Sequence, residues 1–249
     1  MPGWDRVLAH DKVRWIVIGE LHGTAETPAI FADAVCLTAQ QRGPVVVALE
    51  MPSSDQGTID AFIASDGGAA AQAAFLKMWF WQSGDGRSSK AFFRLFDRLR
   101  QMHHAGTVKR VVAFQDDRPD RDQPGDQGPY EMRLAAIVHD AATPGATVLA
   151  LVGNLHARKT EVDPGQRPFM PMASHLPAGE TLTLNALGNG GTAWNCIGPT
   201  TPPACGAHPD HGSLAPARRG VVLQPVDGGA YDGVLNLGTE TTASPPERN

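Results

Sequence analysis

The chain has 249 residues, of which 42% are hydrophobic, and this suffices for one large domain or two small ones. Its formal net charge is -5 and its 21 Lys and Arg residues are spread along the sequence, which excludes a basic surface for nucleic acid or an anionic membrane. No segment approaches the roughly 18 consecutive apolar residues of a membrane span, and residues 1–15 lack the apolar core of a signal peptide. We therefore expect a soluble protein with a small-molecule substrate. It would be cytoplasmic or, if an export signal has been removed, periplasmic or secreted.

Four short apolar runs, each followed by polar residues, predict parallel strands. They cover residues 13–19, 44–49, 108–114 and 147–152. The stretches between them are long enough for helices, which is the pattern of βαβ units. The second run, PVVVAL, does not alternate with polar residues, so both of its faces should be covered. We predict an α/β fold with a mostly parallel central sheet flanked by helices.

The segment between the second and third predicted strands, residues 51–107, is longer than a crossover needs. It predicts a helical insertion that caps the carboxyl edge of the sheet. The aromatic cluster WFW at residues 79–81 is more typical of a core than of a pocket, because aromatic side chains dominate buried area. The adjacent loop SGDGRSS, which holds Asp85 and Arg87, favours a pocket beside it.

Beyond residue 157 the pattern changes to short strands separated by Gly and Pro, which predicts antiparallel or edge additions to the sheet. These strands cover residues 181–187, 192–197, 220–226 and 233–237. The ending, residues 239–249, has almost nothing to bury and predicts a disordered tail. The folded domain is therefore expected to span residues 1–238.

Two segments far apart in the sequence repeat one local design. Residues 15–23 read WIVIGELHG and residues 149–157 read LALVGNLHA, each a strand followed by Gly, a polar residue, Leu and His. Glycine at a strand exit permits a sharp turn or the close approach of a ligand. A polar residue and a histidine two apart face the same side of an extended backbone. The two pairs are Glu20 with His22 and Asn154 with His156.

Further acidic residues reach the same edge of the sheet, which is where ligands bind in open parallel sheets. Glu50 ends the second predicted strand, and Asp116 and Asp117 follow the third. A single loop histidine is more often only solvated or hydrogen-bonded, but two copies of the motif with a strand-end carboxylate favour chemistry. We predict catalytic roles for His22, Glu20, Glu50 and His156, and substrate contacts from Arg87, Asp85, Glu26, Trp81, Asp116 and Asn154.

Two cysteines, Cys196 and Cys205, lie in a Pro- and Gly-rich loop, and their state stays open. A disulfide between them would imply an oxidising compartment. Together with His208 and His211 they would instead form a tetrahedral zinc site, although their spacing is longer than the usual two to four residues. Free loop thiols are the remaining alternative.

The order of these motifs resembles one known superfamily. GELHGTAETP, followed by VVVALE, DGRSS and GNLHA, is similar to the erythromycin esterase and ChaN-like haem-uptake proteins, which are related to the TraB and Tiki proteins. The resemblance covers roughly residues 13–205, and WNCIGPTTPPACG is similar to the paired-cysteine ending of exported members. It implies that Glu20, His22, Glu50 and His156 are the functional set. Relatives include metal-independent esterases, metal-dependent peptidases and haem-binding lipoproteins, so the resemblance leaves the activity open.

We expect hydrolysis of an ester or related acyl bond, with His22 as the general base that activates water. Glu20 or Glu50 would orient the imidazole, and His156 or Arg87 would stabilise the oxyanion. The chain contains no GxSxG motif, so direct attack by water is expected rather than a covalent route.

Two alternatives use the same region. His22, His156, Glu20 and Glu50 would hold a divalent metal such as Mn, Fe or Zn, although Asn154 stands where a carboxylate would be a better ligand. The second alternative is a haem-binding module with an axial histidine and the aromatic cluster at residues 79–81 against the macrocycle.

Overall fold

The chain is described from a computed structural model, which covers residues 1–116, 126–165, 167–197, 204–212 and 216–247. The α-helices of this part are α1 (Trp4–Leu8), α2 (Glu26–Arg42), α3 (Gln56–Ala64), α4 (Ala69–Phe75), α5 (Lys90–His104) and α6 (Gly128–Asp140). The strands are β1 (Trp15–Glu20), β2 (Val45–Pro52), β3 (Val108–Gln115), β4 (Val148–Gly153), β5 (Thr181–Leu187), β6 (Gly191–Ile197), β7 (Ala204–Asp210), β8 (Gly220–Val222) and β9 (Gly233–Asn236). Short 3-10 helices cover Ser53–Asp55, Trp79–Gln82, Gly86–Ser88, Met172–His175 and Asp227–Gly229. None of the described helices is long and apolar enough to cross a membrane.

Seven strands form one sheet in the order β3-β2-β4-β1-β5-β9-β8. Every neighbouring pair is parallel except β8 and β9, which are antiparallel. The predicted mostly parallel α/β sheet is therefore confirmed. Because β4 lies between β1 and β2, the carboxyl ends of these three strands are adjacent.

Both faces of the sheet are buried, which explains the continuous apolar runs. In β1, Ile16 and Ile18 join a core formed with α1, α2, α3 and α5. Trp15 and Val17, the alternate residues, join a second core formed with α6. The side-chain period of two thus divides each central strand between two cores.

The long insertion after β2 packs mainly beside the sheet. Helix α5 contacts α2, α3 and β3, and α3 also contacts β3. Between α4 and α5, the segment 79–89 runs to the carboxyl edge of the sheet. The insertion thus contributes both a core layer and one wall of the strand-end cleft.

The strands after residue 157 extend the sheet and add a separate hairpin. Strand β5 pairs in parallel with β1, and β9 pairs in parallel with β5. Strands β6 and β7 form a two-stranded antiparallel sheet, and β7 has no counterpart among the predicted strands. A disulfide joins Cys196 to Cys205 across this hairpin. The zinc alternative is therefore wrong, since both thiols are in the disulfide.

The end of the described chain is ordered, which corrects the predicted disordered tail. Thr241 and Ser244 are buried. The main-chain N–H of Ser244 donates to the Gly23 carbonyl, and the N–H of Glu247 donates to the Ser88 carbonyl, both at 2.8 Å. Main-chain hydrogen bonds to distant loops help to fix this segment, and composition does not reveal them. Residues 248–249 lie outside the described residues.

Candidate active site

Two carboxylates flank the end of β4. Glu20 is the last residue of β1 and pairs in register with Gly153, the last residue of β4. Glu50 lies near the end of β2, and its Oε2 accepts a hydrogen bond of 2.8 Å from the Gly153 N–H. Both carboxylates are buried, at 4% and 7% exposure. The parallel register thus brings the ends of three strands to one point.

One histidine lies between these carboxylates. The Nδ1 atom of His22 is 3.1 Å from Glu20 Oε1, and its Nε2 atom is 3.5 Å from Glu50 Oε2. The His22 side chain keeps 28% exposure, so the ring is reachable from the cleft. The expectation that Glu20 and His22 face a common space agrees with this geometry.

The glycines of the repeated motif are needed for close approach. A Cβ atom on Gly153 would lie 2.9 Å from His22 Nε2, and one on Gly19 would lie 2.9 Å from the Asn154 Cα. Neither glycine has a positive φ, so a sharp turn is not the reason for them. Gly153 makes room for the imidazole, and Gly19 makes room for the loop after β4.

An arginine of the insertion connects the ends of β2 and β3. Arg87 Nη1 donates to Glu50 Oε1 at 3.2 Å and to Gln115 Oε1 at 3.1 Å. Its Nε and Nη2 atoms donate to Asp85 Oδ2 at 3.2 and 2.8 Å. Because its donors are committed to protein acceptors, Arg87 positions Glu50 and Gln115.

The second histidine is held by a residue that the sequence analysis missed. Nδ1 of His156 lies 2.8 Å from Oε2 of Glu131, a fully buried residue of α6. The same oxygen accepts the N–H of Met172 at 2.8 Å. Nε2 of His156 has no hydrogen-bond partner among the residues that the structure describes. One signal was present: Glu131 shares the buried face of α6 with Leu134 and Val138, where a carboxylate needs a partner.

The charges of the centre shift its pKa values. Burial opposes the charged form of His22, but Glu50 and then Glu20 outweigh it and raise the pKa of His22 to about 10. Burial would raise the pKa of Glu50, but His22, His156 and Arg87 hold it well below its usual range. Burial raises the pKa of Glu20, although the hydrogen bond with His22 and the charge of His22 both act to lower it. For His156, burial opposes the charge, whereas Glu131 and Glu50 produce a net rise in pKa. His22 is therefore an imidazolium at neutral pH.

The side chains of two predicted substrate-contact residues make no hydrogen bond to this centre among the described contacts. Trp81 is 1% exposed and packs against Phe75, Phe93 and Phe96, so it belongs to the core. A side chain enclosed in this way has no face to offer a ligand. The Asn154 side chain is exposed rather than paired with His156.

The other acidic candidates have structural partners. Glu26 accepts a hydrogen bond of 2.9 Å from the N–H of Thr242, in the C-terminal segment. Asp116 is buried and forms an ion pair with Arg133 of α6. Asp117 lies outside the described residues. Of the six predicted substrate-contact residues, only Asp85 and Arg87 thus join the centre.

Several solved structures have a fold similar to that of this chain. A mutant of the erythromycin esterase EreC in its open conformation aligns over 96% of this chain and 94% of its own, with a TM-score of 0.70 and 11% identity. A succinoglycan biosynthesis protein aligns over 98% and 92%, with a TM-score of 0.73 and 10% identity. The chain has the erythromycin esterase fold. The type III effector HopBA1 aligns over 97% and 94%, with a TM-score of 0.52 and 17% identity.

These identities are low, so they establish the erythromycin esterase fold and leave the activity to be argued from the site. No protein-family profile matches the chain. No curated protein matches its sequence.

The side chains do not fit a metal or haem in their present arrangement. Both nitrogens of His22 face carboxylates, and Nδ1 of His156 faces Glu131. Across the described ranges, no group of three or more His, Cys, Asp or Glu side chains is placed to hold a metal ion. The aromatic cluster does not form one flat face for a macrocycle, since Trp79 is 76% exposed and Trp81 is buried.

A cavity of about 270 Å³ adjoins the centre. Its walls include Pro52, Ser54, Trp79, Phe80, Arg87 and Gln115. Arg87 and Gln115 are shared between this cavity and the ion-pair network of Glu50. A ligand in the cavity would thus contact the Arg87 and Gln115 side of the centre.

Proposed function

We propose that the protein hydrolyses an ester or related acyl bond of a small molecule, with water activated by His22. The observation that carries this proposal is the position of His22, whose ring reaches the cleft between buried Glu20 and Glu50. A base held in one orientation by a carboxylate is the arrangement used for proton transfer in hydrolases.

The two nitrogens of His22 have different roles in this proposal. Nδ1 lies within hydrogen-bond distance of Glu20 and is fixed by it. Nε2 is 3.5 Å from Glu50, beyond a good hydrogen bond, so a water molecule can compete for it. In the reaction, Nε2 takes a proton from water as the water oxygen bonds to the carbonyl carbon. The same proton passes to the departing alcohol oxygen when the acyl bond breaks.

The raised pKa of His22 sets the pH at which this base works. With a pKa of about 10, only about one molecule in a thousand has a neutral His22 at pH 7. An unperturbed imidazole would instead titrate near neutral pH. We therefore expect kcat/KM to rise about tenfold per pH unit from neutral pH and to level off near pH 10.

His156 is the better of the two predicted oxyanion donors. Arg87 is committed to Asp85, Glu50 and Gln115. His156 is fixed at Nδ1 by Glu131, and its raised pKa favours a proton on Nε2. An N–H held in this way stabilises developing negative charge without reorganisation. The substrate body would occupy the adjoining cavity beside Trp79.

The test is hydrolysis of 4-nitrophenyl acetate, butyrate and octanoate between pH 7 and 10, with the uncatalysed rate subtracted. We expect His22→Asn to lower kcat/KM about a hundredfold to ten-thousandfold, because the proton acceptor is lost. His10→Asn is the matched control, since His10 is exposed and lies beside Val13 and Thr181, at the edge of the sheet where the strands begin. Turnover at the wild-type rate in His22→Asn, or complete loss of turnover with a chelator, would contradict the proposal.

A further inference from the structure

We propose that Tyr130 is a further catalytic residue, whose hydroxyl donates a hydrogen bond to the oxyanion beside His156. The inference rests on the proposed hydrolysis. It assigns chemistry to a residue outside both repeated motifs and outside every strand end.

Helix α6 holds Tyr130 and the partner of His156 on one turn. Tyr130 precedes Glu131, whose carboxylate fixes Nδ1 of His156. The Tyr130 and His156 rings lie 6.3 Å apart between centroids, with an interplanar angle of 68°. The phenol therefore lies against the imidazole whose Nε2 remains unpaired among the described residues. Two donors from α6 and the β4 loop thus border the same part of the cleft.

Hydrogen bonds orient the phenol through Gln115. Arg87 Nη1 donates to Gln115 Oε1 at 3.1 Å, which directs the amide oxygen toward the guanidinium. Gln115 acts to lower the pKa of Tyr130, which is the effect of a donor near the phenol oxygen, so we infer that the amide nitrogen is the group that faces Tyr130. With its oxygen accepting a hydrogen bond from Gln115, Tyr130 keeps its own proton for a substrate oxygen. Such a chain of donors polarises the terminal O–H.

The phenol also keeps its proton when the base is active. Burial, and then Glu50, raise the pKa of Tyr130 to about 12. His22 loses its proton near pH 10, so the neutral imidazole coexists with a protonated phenol. Tyr130 therefore does not limit the rise in rate with pH.

Tyr130→Phe tests the hydroxyl alone, because the ring that packs against His156 stays. We expect kcat for 4-nitrophenyl butyrate to fall about a hundredfold to a thousandfold, with little change in KM, as for loss of one oxyanion donor. Gln115→Leu leaves the hydroxyl but removes its orientation, so a smaller fall is expected. Met132→Leu is the matched control on the same helix, since Met132 is exposed and outside the centre.

A second readout does not depend on turnover. The methyl monoester of butylphosphonic acid carries anionic oxygens in the tetrahedral geometry of the intermediate. By calorimetry we expect Tyr130→Phe to weaken its binding about tenfold to a hundredfold, and Met132→Leu to bind it as the wild type does.

The outcomes separate this inference from the proposed function. Unchanged kcat and unchanged phosphonate affinity in Tyr130→Phe would overturn the inference while hydrolysis stands. If the wild type hydrolyses none of the esters but binds the phosphonate through the Tyr130 hydroxyl, the proposed function fails and the donor role is supported. If Tyr130→Phe does not fold, unchanged kcat and phosphonate affinity in Gln115→Leu would overturn the inference, and losses in both would support it.

Discussion

His22 carries positive charge between two buried carboxylates, so its removal affects folding as well as chemistry. Its loop position alone would predict a small stability cost for truncation. In the structure, His22→Ala leaves Glu20 buried without its partner, whereas Glu50 keeps Arg87 and the Gly153 N–H. We expect a loss of about 2 kcal/mol in the free energy of unfolding at pH 6, below the cost of breaking a fully buried pair because Glu20 can take up a proton.

The cost of His22→Ala should depend on pH. The folded-state pKa of about 10 lies above the usual value of 6.5. The stabilisation is therefore fully present below pH 6.5 and is lost as pH rises through about 10. Urea unfolding of the wild type and His22→Ala at pH 6, 8 and 10 should show a gap that narrows with pH. A constant or widening gap would show that His22 is not charged in the folded state.

Glu50 and Glu20 raise the pKa of His22 to different extents. Glu50 makes the largest contribution that raises the pKa of His22, and Glu20 a smaller one. Glu50→Gln and Glu20→Gln should both move the rising limb of the kcat/KM profile toward lower pH, and Glu50→Gln should move it further. Profiles measured with 4-nitrophenyl butyrate check this order. A shift toward higher pH in either variant would contradict the base role of His22.

Among individual residues, the repeated motif and the strand ends together predicted most of the polar centre. Glu20, His22, Glu50 and His156 follow from strand ends and local spacing, which the sequence displays directly. Glu131 and Tyr130 do not, because α6 reaches the cleft only through the crossover between β3 and β4. Trp81 was misplaced because an aromatic residue in the sequence does not reveal which way its ring turns.

Among the elements, the β6–β7 hairpin holds two loops of the centre together. The N–H of Trp194 donates to the Gly23 carbonyl at 2.9 Å, just after His22. Its indole Nε1 donates to the Gly84 carbonyl at 3.0 Å, just before Asp85 and Arg87. A Cβ on Gly86 would lie 2.3 Å from the Trp194 carbonyl oxygen, so the contact admits only glycine. The hairpin thus sets the distance between the His22 loop and the Arg87 loop.

The disulfide should stabilise this arrangement. It closes a loop with a sequence separation of 9, which corresponds to about 2–3 kcal/mol of stabilisation. Cys196→Ser with Cys205→Ser should lower the free energy of unfolding by about that amount and kcat by about tenfold through looser positioning of Arg87. Denaturant unfolding and ester turnover measure both effects. Intact mass with and without reductant tests the bond itself, and free thiols at both positions in oxidised wild-type protein would contradict it.

Element prediction succeeded where patterns are local. The strand predicted at residues 181–187 matches β5. Helix α5 begins after Ser89, whose side chain accepts a hydrogen bond from the Phe92 N–H, a common helix cap. Strand β7 reads ACGAHPD, with small and polar residues and a proline that do not indicate a strand. It forms because β6 lies opposite it and the disulfide joins the pair.

At the scale of the whole molecule, the segment 239–247 connects the loops that surround the site. The Thr242 carbonyl accepts a hydrogen bond of 2.8 Å from the Ala25 N–H, and the Pro245 carbonyl accepts one of 2.9 Å from the Lys90 N–H. The segment also reaches the Gly23 carbonyl through Ser244. Contacts between residues more than 150 positions apart leave no local pattern in the sequence. For this reason the sequence predicted a disordered tail where the structure shows a packed segment.

Deletion of residues 240–249 should therefore disturb the site more than the sheet. The loops after β1 and before α5 lose main-chain partners, whereas the seven sheet strands, which end at Asn236, keep theirs. We expect far-UV circular dichroism to change little, kcat on 4-nitrophenyl butyrate to fall about tenfold or more, and amide exchange to accelerate at Ala25 and Lys90. Ser244→Ala is the matched control, because it removes only the hydroxyl that accepts from the Ala91 N–H and should have a smaller effect. Unchanged exchange at Ala25 and Lys90 in the deletion variant would mean that the hairpin alone holds both loops, since Trp194 still reaches Gly23 and Gly84 without the segment.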